Sequence, residues 1–76
     1  MKNVLELIVK SLVDHPEQIL ITEISGEKGA ILELKVAEED MGKVIGKQGK
    51  VAKSIRTVIK AIAAREGKRV IVEIIN

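Results

Sequence analysis

The sequence predicts a small α+β domain, and three observations lead to that prediction. Apolar residues recur at helical spacing near the N-terminus and again in the second half of the chain. Three short segments rich in β-branched residues lie between and after these helical patterns. The chain has 76 residues, 46% hydrophobic and 32% charged, which suits one folded domain rather than a disordered tail. We therefore expect residues 1–76 to form a single domain with the element order αββααβ.

The first predicted element is an amphipathic helix that begins at Asn3. Pro16 is expected to end it near Asp14 and His15, because the residue before a proline disfavours helical dihedral angles. Its apolar face consists of Val4, Leu5, Ile8, Val9, Leu12 and Val13.

Two strands are predicted next, over residues 18–25 and 30–36. The segment between them contains Gly26 and Gly29, which can supply the positive φ of a turn, so the strands are expected to form a hairpin. In the second strand apolar and other residues alternate, which predicts one buried face. That face consists of Ala30, Leu32, Leu34 and Val36.

The second half of the chain predicts two more helices and a strand. A short helix begins at the carboxylates of Glu38, Glu39 and Asp40, which suit the positive end of the helix dipole, and runs to Ile45. Three neighbouring carboxylates could also form a catalytic or metal site, but no histidine or second acidic cluster accompanies them. A longer helix runs from residue 50 to 65 or 66, and the last strand covers residues 69–75.

The charges are divided unevenly between the two halves of the chain. Residues 1–40 carry four lysines and nine acidic residues, a net charge of −5, whereas residues 41–76 carry nine Lys or Arg and two acidic residues, a net charge of +7. A field of one sign attracts polyanions, although a solvated helix face would carry the same charges. Between Met41 and Lys60 there is no acid, and the six cations are Lys43, Lys47, Lys50, Lys53, Arg56 and Lys60.

A Gly-x-x-Gly turn, Gly46-Lys47-Gln48-Gly49, lies within this basic segment. Glycines let the backbone approach a ligand, and the first N–H groups of the following helix carry partial positive charge, so a phosphate is expected to bind there. The spacing is that of neither a Walker A loop nor a dinucleotide-binding loop. On a helical wheel the long helix places Lys50, Lys53, Arg56 and Lys60 in one stripe and Val51, Ile55, Val58, Ile59 and Ile62 on the opposite, core-facing side.

Composition excludes several classes of function. The chain has no cysteine, which excludes disulfides and thiol chemistry, and no Phe, Tyr or Trp, which excludes stacking of bases on aromatic rings. Charged residues interrupt the N-terminal apolar segment and no apolar run approaches about 18 residues, so we expect no signal peptide, no membrane contact and a cytoplasmic location. No residue set supports acid–base, nucleophilic or metal chemistry, so we expect neither an enzyme nor a cofactor.

The basic half resembles a known nucleic-acid-binding family. Gly42-Lys43-Val44-Ile45-Gly46-Lys47-Gln48-Gly49-Lys50, followed by Ser54-Ile55-Arg56-Thr57, is similar to the signature of the K-homology (KH) domain, and the order αββααβ is similar to its bacterial type II form. More narrowly, the chain resembles the stand-alone bacterial KH proteins of the KhpA type. The resemblance covers the whole chain and implies a three-stranded sheet with three helices packed on one face.

The resemblance implies non-catalytic binding of about four nucleotides of single-stranded RNA, in the role of an RNA chaperone or post-transcriptional regulator. The loop would clamp the RNA backbone, and bases would rest on aliphatic side chains. Ala52 stands where the family often has a large aliphatic residue, which implies a shallower groove. The binding residues expected on this basis are Gly46, Lys47, Gln48, Gly49, Lys50, Lys53, Arg56, Val44, Ile45 and Ile55.

Protein partners are expected as well. Ile31, Ile71 and Ile75 alternate with the core positions and should lie on the sheet face opposite the helices or at a strand edge. Because a chain of this length has a thin core, we expect them to form a homodimer contact. The resemblance adds a larger multidomain KH-containing partner of the KhpB type. A second function stays open, namely an assembly module whose basic stripe binds an acidic protein or a ribosomal surface.

Overall fold

The structure, a computed structural model, describes residues 1–75. Its element order confirms the predicted αββααβ arrangement, with short 3₁₀ turns in three of the connections. No helix in the described part is long and apolar enough to cross a membrane. Helix α1 spans Lys2–Lys10, strands β1 and β2 span Leu20–Ser25 and Gly29–Lys35, helices α2 and α3 span Met41–Ile45 and Lys50–Arg65, and strand β3 spans Arg69–Ile75.

The three strands form one mixed sheet in the order β1-β2-β3. Strands β1 and β2 pair antiparallel as a hairpin, whereas β3 pairs parallel to β2, with Ile31 opposite Ile71. A parallel pair needs a long crossover, and α2 and α3 supply it. The crossover therefore leaves β3 as an edge strand next to α3.

The core lies between one face of the sheet and the helices. The alternation predicted for β2 is confirmed for Leu32 and Leu34, which are fully buried, and for Val36, which is nearly so, whereas Ala30 is only partly buried. Strand β3 follows the same pattern with Val70 and Val72. The large core residues are Leu5, Val9, Ile21, Leu32, Leu34, Val36, Val44, Ile55, Ile59, Val70 and Val72.

Helix α1 ends at Lys10, earlier than the proline rule predicts. The Ser11 hydroxyl donates to the Ile8 carbonyl oxygen, and the next residues form a turn on Val9. The backbone N–H groups of Asp14 and His15 donate to a side chain of a different element, which removes these residues from the helical path. Pro16 then begins a 3₁₀ turn instead of ending the helix.

Helix α3 is also rotated relative to the predicted wheel. Its buried side chains include Ala52 and Ala63 beside the two isoleucines, whereas Val58, predicted to face the core, is 45% exposed. Small alanine side chains let the helix lie close to its neighbours, so the buried face is centred on the alanines. This rotation brings one edge of the cationic stripe towards β3.

Candidate functional site

The Gly-x-x-Gly loop is a tight turn between α2 and α3, held by its own backbone. The Gly46 N–H donates to the Gly42 carbonyl oxygen at 2.9 Å, and the Gly49 N–H donates to that of Gly46 at 3.2 Å. Gly46, Gln48 and Gly49 have φ angles of +75°, +57° and +73°. Three of these four consecutive residues therefore have a positive φ, which turns the chain between the two helices.

The two glycines meet different constraints. A Cβ on Gly46 would lie 2.3 Å from Val51 Cγ2, a separation that requires the neighbour to move. A Cβ on Gly49 would meet no heavy atom within 4 Å, so only its φ favours glycine there. Glycine is therefore favoured at position 46 by both the contact with Val51 and the positive φ, and at position 49 by the positive φ alone.

The loop presents unpaired charge and polar groups to solvent. Lys47 and Gln48 are exposed, and so is Lys50 at the start of α3. In the described part of the chain no side chain caps the N-terminus of α3, whose first N–H groups face the loop. Charged side chains and the positive end of a helix of 16 residues therefore meet at the same place, an arrangement suited to an anion.

A groove of about 560 Å³ runs between α3 and the edge strand β3. We call it the α3–β3 groove. Its helical wall carries Lys53, Arg56 and Lys60, and its strand wall adds Arg69, which the sequence analysis did not include. Arg69 could have been found only by recognising the last strand as the parallel neighbour of β2. The lining is completed by Thr57, Val70, Ile71 and Val72.

Arg56 connects the two walls of this groove. Its Nε–H donates to the Val72 carbonyl oxygen at 3.2 Å. The Arg56 side chain, although exposed, is therefore tied to the edge strand by a hydrogen bond.

The structure places two of the three aliphatic positions predicted to carry bases in the core. Val44 is fully buried and Ile55 is 3% exposed, so both belong to the core and present no surface to a ligand. Both side chains are needed to join α2 and α3 to the sheet, and packing uses the surface that the prediction gave to bases. Ile45, which is 37% exposed, is the one of the three that lies at the surface.

Asp40 is buried, although its neighbours Glu38 and Glu39 are exposed. Its carboxylate accepts hydrogen bonds from the backbone N–H groups of Asp14 at 3.0 Å and His15 at 2.9 Å. These bonds tie the connection between α1 and β1 to the start of α2. The side chain therefore has a structural partner, and the three carboxylates do not act as one cluster; within residues 1–75 no group of acidic and histidine side chains could hold a metal ion.

Asp14 and Asp40 neutralise one of the six predicted cations, Lys43. The Lys43 ammonium forms an ion pair with Asp14 and lies 3.7 Å from Asp40 Oδ1. Its hydrogen bond to Asp14 raises the pKa of Lys43, against the effect of desolvation and with the help of both carboxylate charges. Lys43 thus stays charged but is compensated, whereas within residues 1–75 the other five predicted cations form no ion pair.

Burial alone would raise the pKa of Asp40, since an ionised carboxylate is poorly solvated there. The two backbone N–H donors, and the charges of His15 and Lys43, outweigh burial and lower that pKa below its ordinary value of 3.8. The folded state therefore stabilises the ionised carboxylate of Asp40.

Comparisons with known proteins agree with this architecture. The profile of the family described as "KhpA/KhpB, KH domain" matches residues 2–74. The chain is 67% identical to the RNA-binding protein KhpA of Clostridium acetobutylicum over 75 residues, 99% of this chain and 100% of the relative. It is 63% identical to the KhpA of Clostridium perfringens with the same coverage, and 47% identical to that of Aquifex aeolicus over 100% of this chain and 96% of the relative. No solved structure matches.

Proposed function

The chain belongs to the KhpA/KhpB family of KH domains, and from this premise we propose that it binds single-stranded RNA through the Gly-x-x-Gly loop and the α3–β3 groove. Its relatives of similar length carry the name RNA-binding protein KhpA. We propose no catalytic step; the protein acts by binding, as an RNA chaperone or post-transcriptional regulator in the cytoplasm.

One observation carries the proposal: the uncompensated cations and the backbone donors lie along one continuous surface. The loop supplies Lys47 and the free N–H groups of α3, and the groove continues with Lys53, Lys60 and Arg69. Among the described residues that line the groove, none is acidic. A strand of phosphates that enters at the loop can follow α3 without meeting a repulsive charge.

The groove also suits unpaired bases. The chain has no aromatic residue, so bases would contact aliphatic surface, which Ile71 supplies on the groove wall and Ile45 beside the loop. The groove is bounded on one side by an edge strand, whose backbone groups are not all used by the sheet. A duplex has its base edges paired and cannot offer them to the groove, so single strands are the favoured ligand.

The test replaces both loop side chains with acids, Lys47→Asp together with Gln48→Asp. These side chains are exposed and the turn is held by backbone bonds, so the fold should persist while binding of a fluorescent single-stranded RNA is lost. A matched control makes the same change in charge on a different helix, α1, with Lys2→Asp and Asn3→Asp, where both side chains are exposed. Undiminished binding by a folded loop variant would contradict the proposal.

Salt dependence separates the proposal from its alternative. Binding of a single strand should weaken with salt by a slope of roughly 0.7 per phosphate contact. An acidic peptide and an RNA duplex of equal charge are the comparison ligands. If the peptide binds as tightly as the single strand, the assembly-module alternative is favoured instead.

We also propose that the outer face of the sheet is a protein contact. Ile24, Ile31 and Ile71 are direct neighbours across the three strands, and Ile24 and Ile71 are about half exposed. The proposed occupant is a second copy of the chain. A larger KH-containing protein of the KhpB type is the other proposed partner, and the family description names both proteins.

A further inference from the structure

Arg69 and Ile71 of strand β3 belong to two surfaces of the molecule at once. Both line the α3–β3 groove, where they supply a cation and exposed apolar surface. Both also line a hollow of about 300 Å³ on the outer face of the sheet, together with Ile24 and Ile31. Because β3 is an edge strand, its exposed side chains can be reached both from the groove beside the strand and from the outer face.

The outer face also carries two carboxylates that lie side by side. Glu33 and Glu73 are direct neighbours across β2 and β3. Within residues 1–75 neither forms an ion pair, not even with Lys35 two residues along β2. Like charges on neighbouring strands repel each other, so a cation supplied from outside the chain would stabilise this pair.

A second copy of the chain offers such a cation at the matching place. Arg69 and Glu73 each lie two residues from Ile71, on either side of it along β3. A two-fold axis along the row of Ile24, Ile31 and Ile71 lays the two β3 strands over each other in opposite directions, so that Arg69 of one copy meets Glu73 of the other. This contact would cover Ile71 and compensate the charge of Arg69, and the groove would lose both.

We infer that self-association through the outer face and RNA binding in the α3–β3 groove oppose each other, because Arg69 and Ile71 cannot serve both contacts at once. The inference rests on the proposed function and on the proposed contact between two copies, and it adds a regulation of the RNA site by protein concentration. We expect the dimer to bind single-stranded RNA about tenfold more weakly than the monomer. By thermodynamic linkage, RNA weakens self-association by the same factor.

The test uses the loop variant, Lys47→Asp with Gln48→Asp, as a competitor that keeps the outer face but lacks the proposed loop contact with RNA. A labelled RNA hexamer bound to the unmodified protein is mixed with a large excess of this variant, and its fluorescence anisotropy is followed. Mixed dimers form, so the apparent affinity of the unmodified protein for the hexamer should weaken about tenfold. The control competitor adds Ile24→Lys to the loop variant, which blocks association, and should leave that affinity unchanged.

Three single substitutions identify the shared residue. Lys60→Gln should weaken RNA binding alone, and Glu73→Gln should weaken self-association alone, because each side chain belongs to only one of the two surfaces. Arg69→Gln should weaken both, by about threefold each. Anisotropy at low protein concentration measures RNA binding by the monomer, and sedimentation equilibrium without RNA measures association.

The outcomes separate this inference from the proposals beneath it. If the loop variant associates with the unmodified protein but leaves its RNA affinity unchanged or raises it, or if Arg69→Gln affects only one of the two contacts, the opposition is wrong while both contacts stand. If no association is found at high micromolar concentration, the contact between copies fails and the inference with it, whereas RNA binding stands. If the hexamer does not bind the unmodified protein at any concentration, the proposed function itself fails.

Discussion

At the scale of single residues, the two loop glycines meet different physical limits, and this difference can be measured. Gly46→Ala places a Cβ against Val51 in a backbone conformation that favours glycine, so we expect it to lower the free energy of unfolding by about 2–3 kcal/mol. A Cβ at position 49 meets open space, and only the left-handed φ is unfavourable for alanine. We therefore expect Gly49→Ala to lower the free energy of unfolding by about 1 kcal/mol. Urea denaturation of the two variants measures both values.

The comparison also tests the geometry of the loop. If the two variants have the same free energy of unfolding, Gly46 does not lie as close to Val51 as described here. If Gly49→Ala is folded but binds RNA poorly, then the position of the loop, rather than the stability of the domain, is what the ligand requires.

At the scale of elements, Asp40 joins the connection between α1 and β1 to the start of α2. Asp40→Asn keeps one acceptor oxygen but places an NH₂ group against a backbone N–H, so we expect the melting temperature at neutral pH to fall by roughly 5–10 °C. Because the folded pKa of Asp40 is lowered, its contribution is present above the ordinary value of 3.8 and is lost as the pH falls through the folded pKa.

The pH dependence provides the control for this prediction. The melting temperature of the unmodified protein should fall more steeply than that of Asp40→Asn between about pH 5 and pH 2, so the two curves should converge in acid. Glu39→Gln, an exposed neighbour, should leave the melting temperature at neutral pH nearly unchanged. If the melting temperatures of Asp40→Asn and the unmodified protein fall in parallel as the pH is lowered, the ionised Asp40 carboxylate does not stabilise the fold.

Elements with a local pattern could be predicted from the sequence. Leu32 and Leu34 alternate with partly exposed residues, and Gly46 and Gly49 interrupt a helical pattern, so the second strand and the loop are visible without any knowledge of the fold. The end of α1 was predicted too late, because the groups that end it donate to Asp40, 25 or 26 residues further along.

Residues of the site that depend on packing could not be predicted in the same way. Periodicity separates apolar from polar sides of α3, but it does not say which part of the apolar side the sheet covers, so Val58 was assigned to the core. Val44 and Ile55 matched a family motif whose residues also serve the core. Arg69 enters the site only through the parallel pairing of β3, which is a long-range contact.

At the scale of the whole molecule, the sheet has one face covered by helices and one face open. On the open face Arg69, Ile71 and Glu73 follow one another along β3, with the isoleucine row in the middle. A two-fold axis through that row would place isoleucines on isoleucines and Arg69 of one copy opposite Glu73 of the other. The charge order along the strand is therefore self-complementary, which favours a second copy as the occupant.

This symmetry leads to a prediction about association. Ile24→Lys puts a charge into the isoleucine row from β1, the strand farthest from the α3–β3 groove, so we expect it to weaken self-association at least tenfold in sedimentation equilibrium while single-stranded RNA still binds. Leu7→Lys is the matched control, since Leu7 is 71% exposed on α1, away from the open face, and it should leave association unchanged. A monomeric unmodified protein at high micromolar concentration, or equal effects of the two variants, would show that the open face serves another partner. Loss of RNA binding in a folded Ile24→Lys variant would instead show that the two surfaces depend on each other, since Arg69 and Ile71 belong to both.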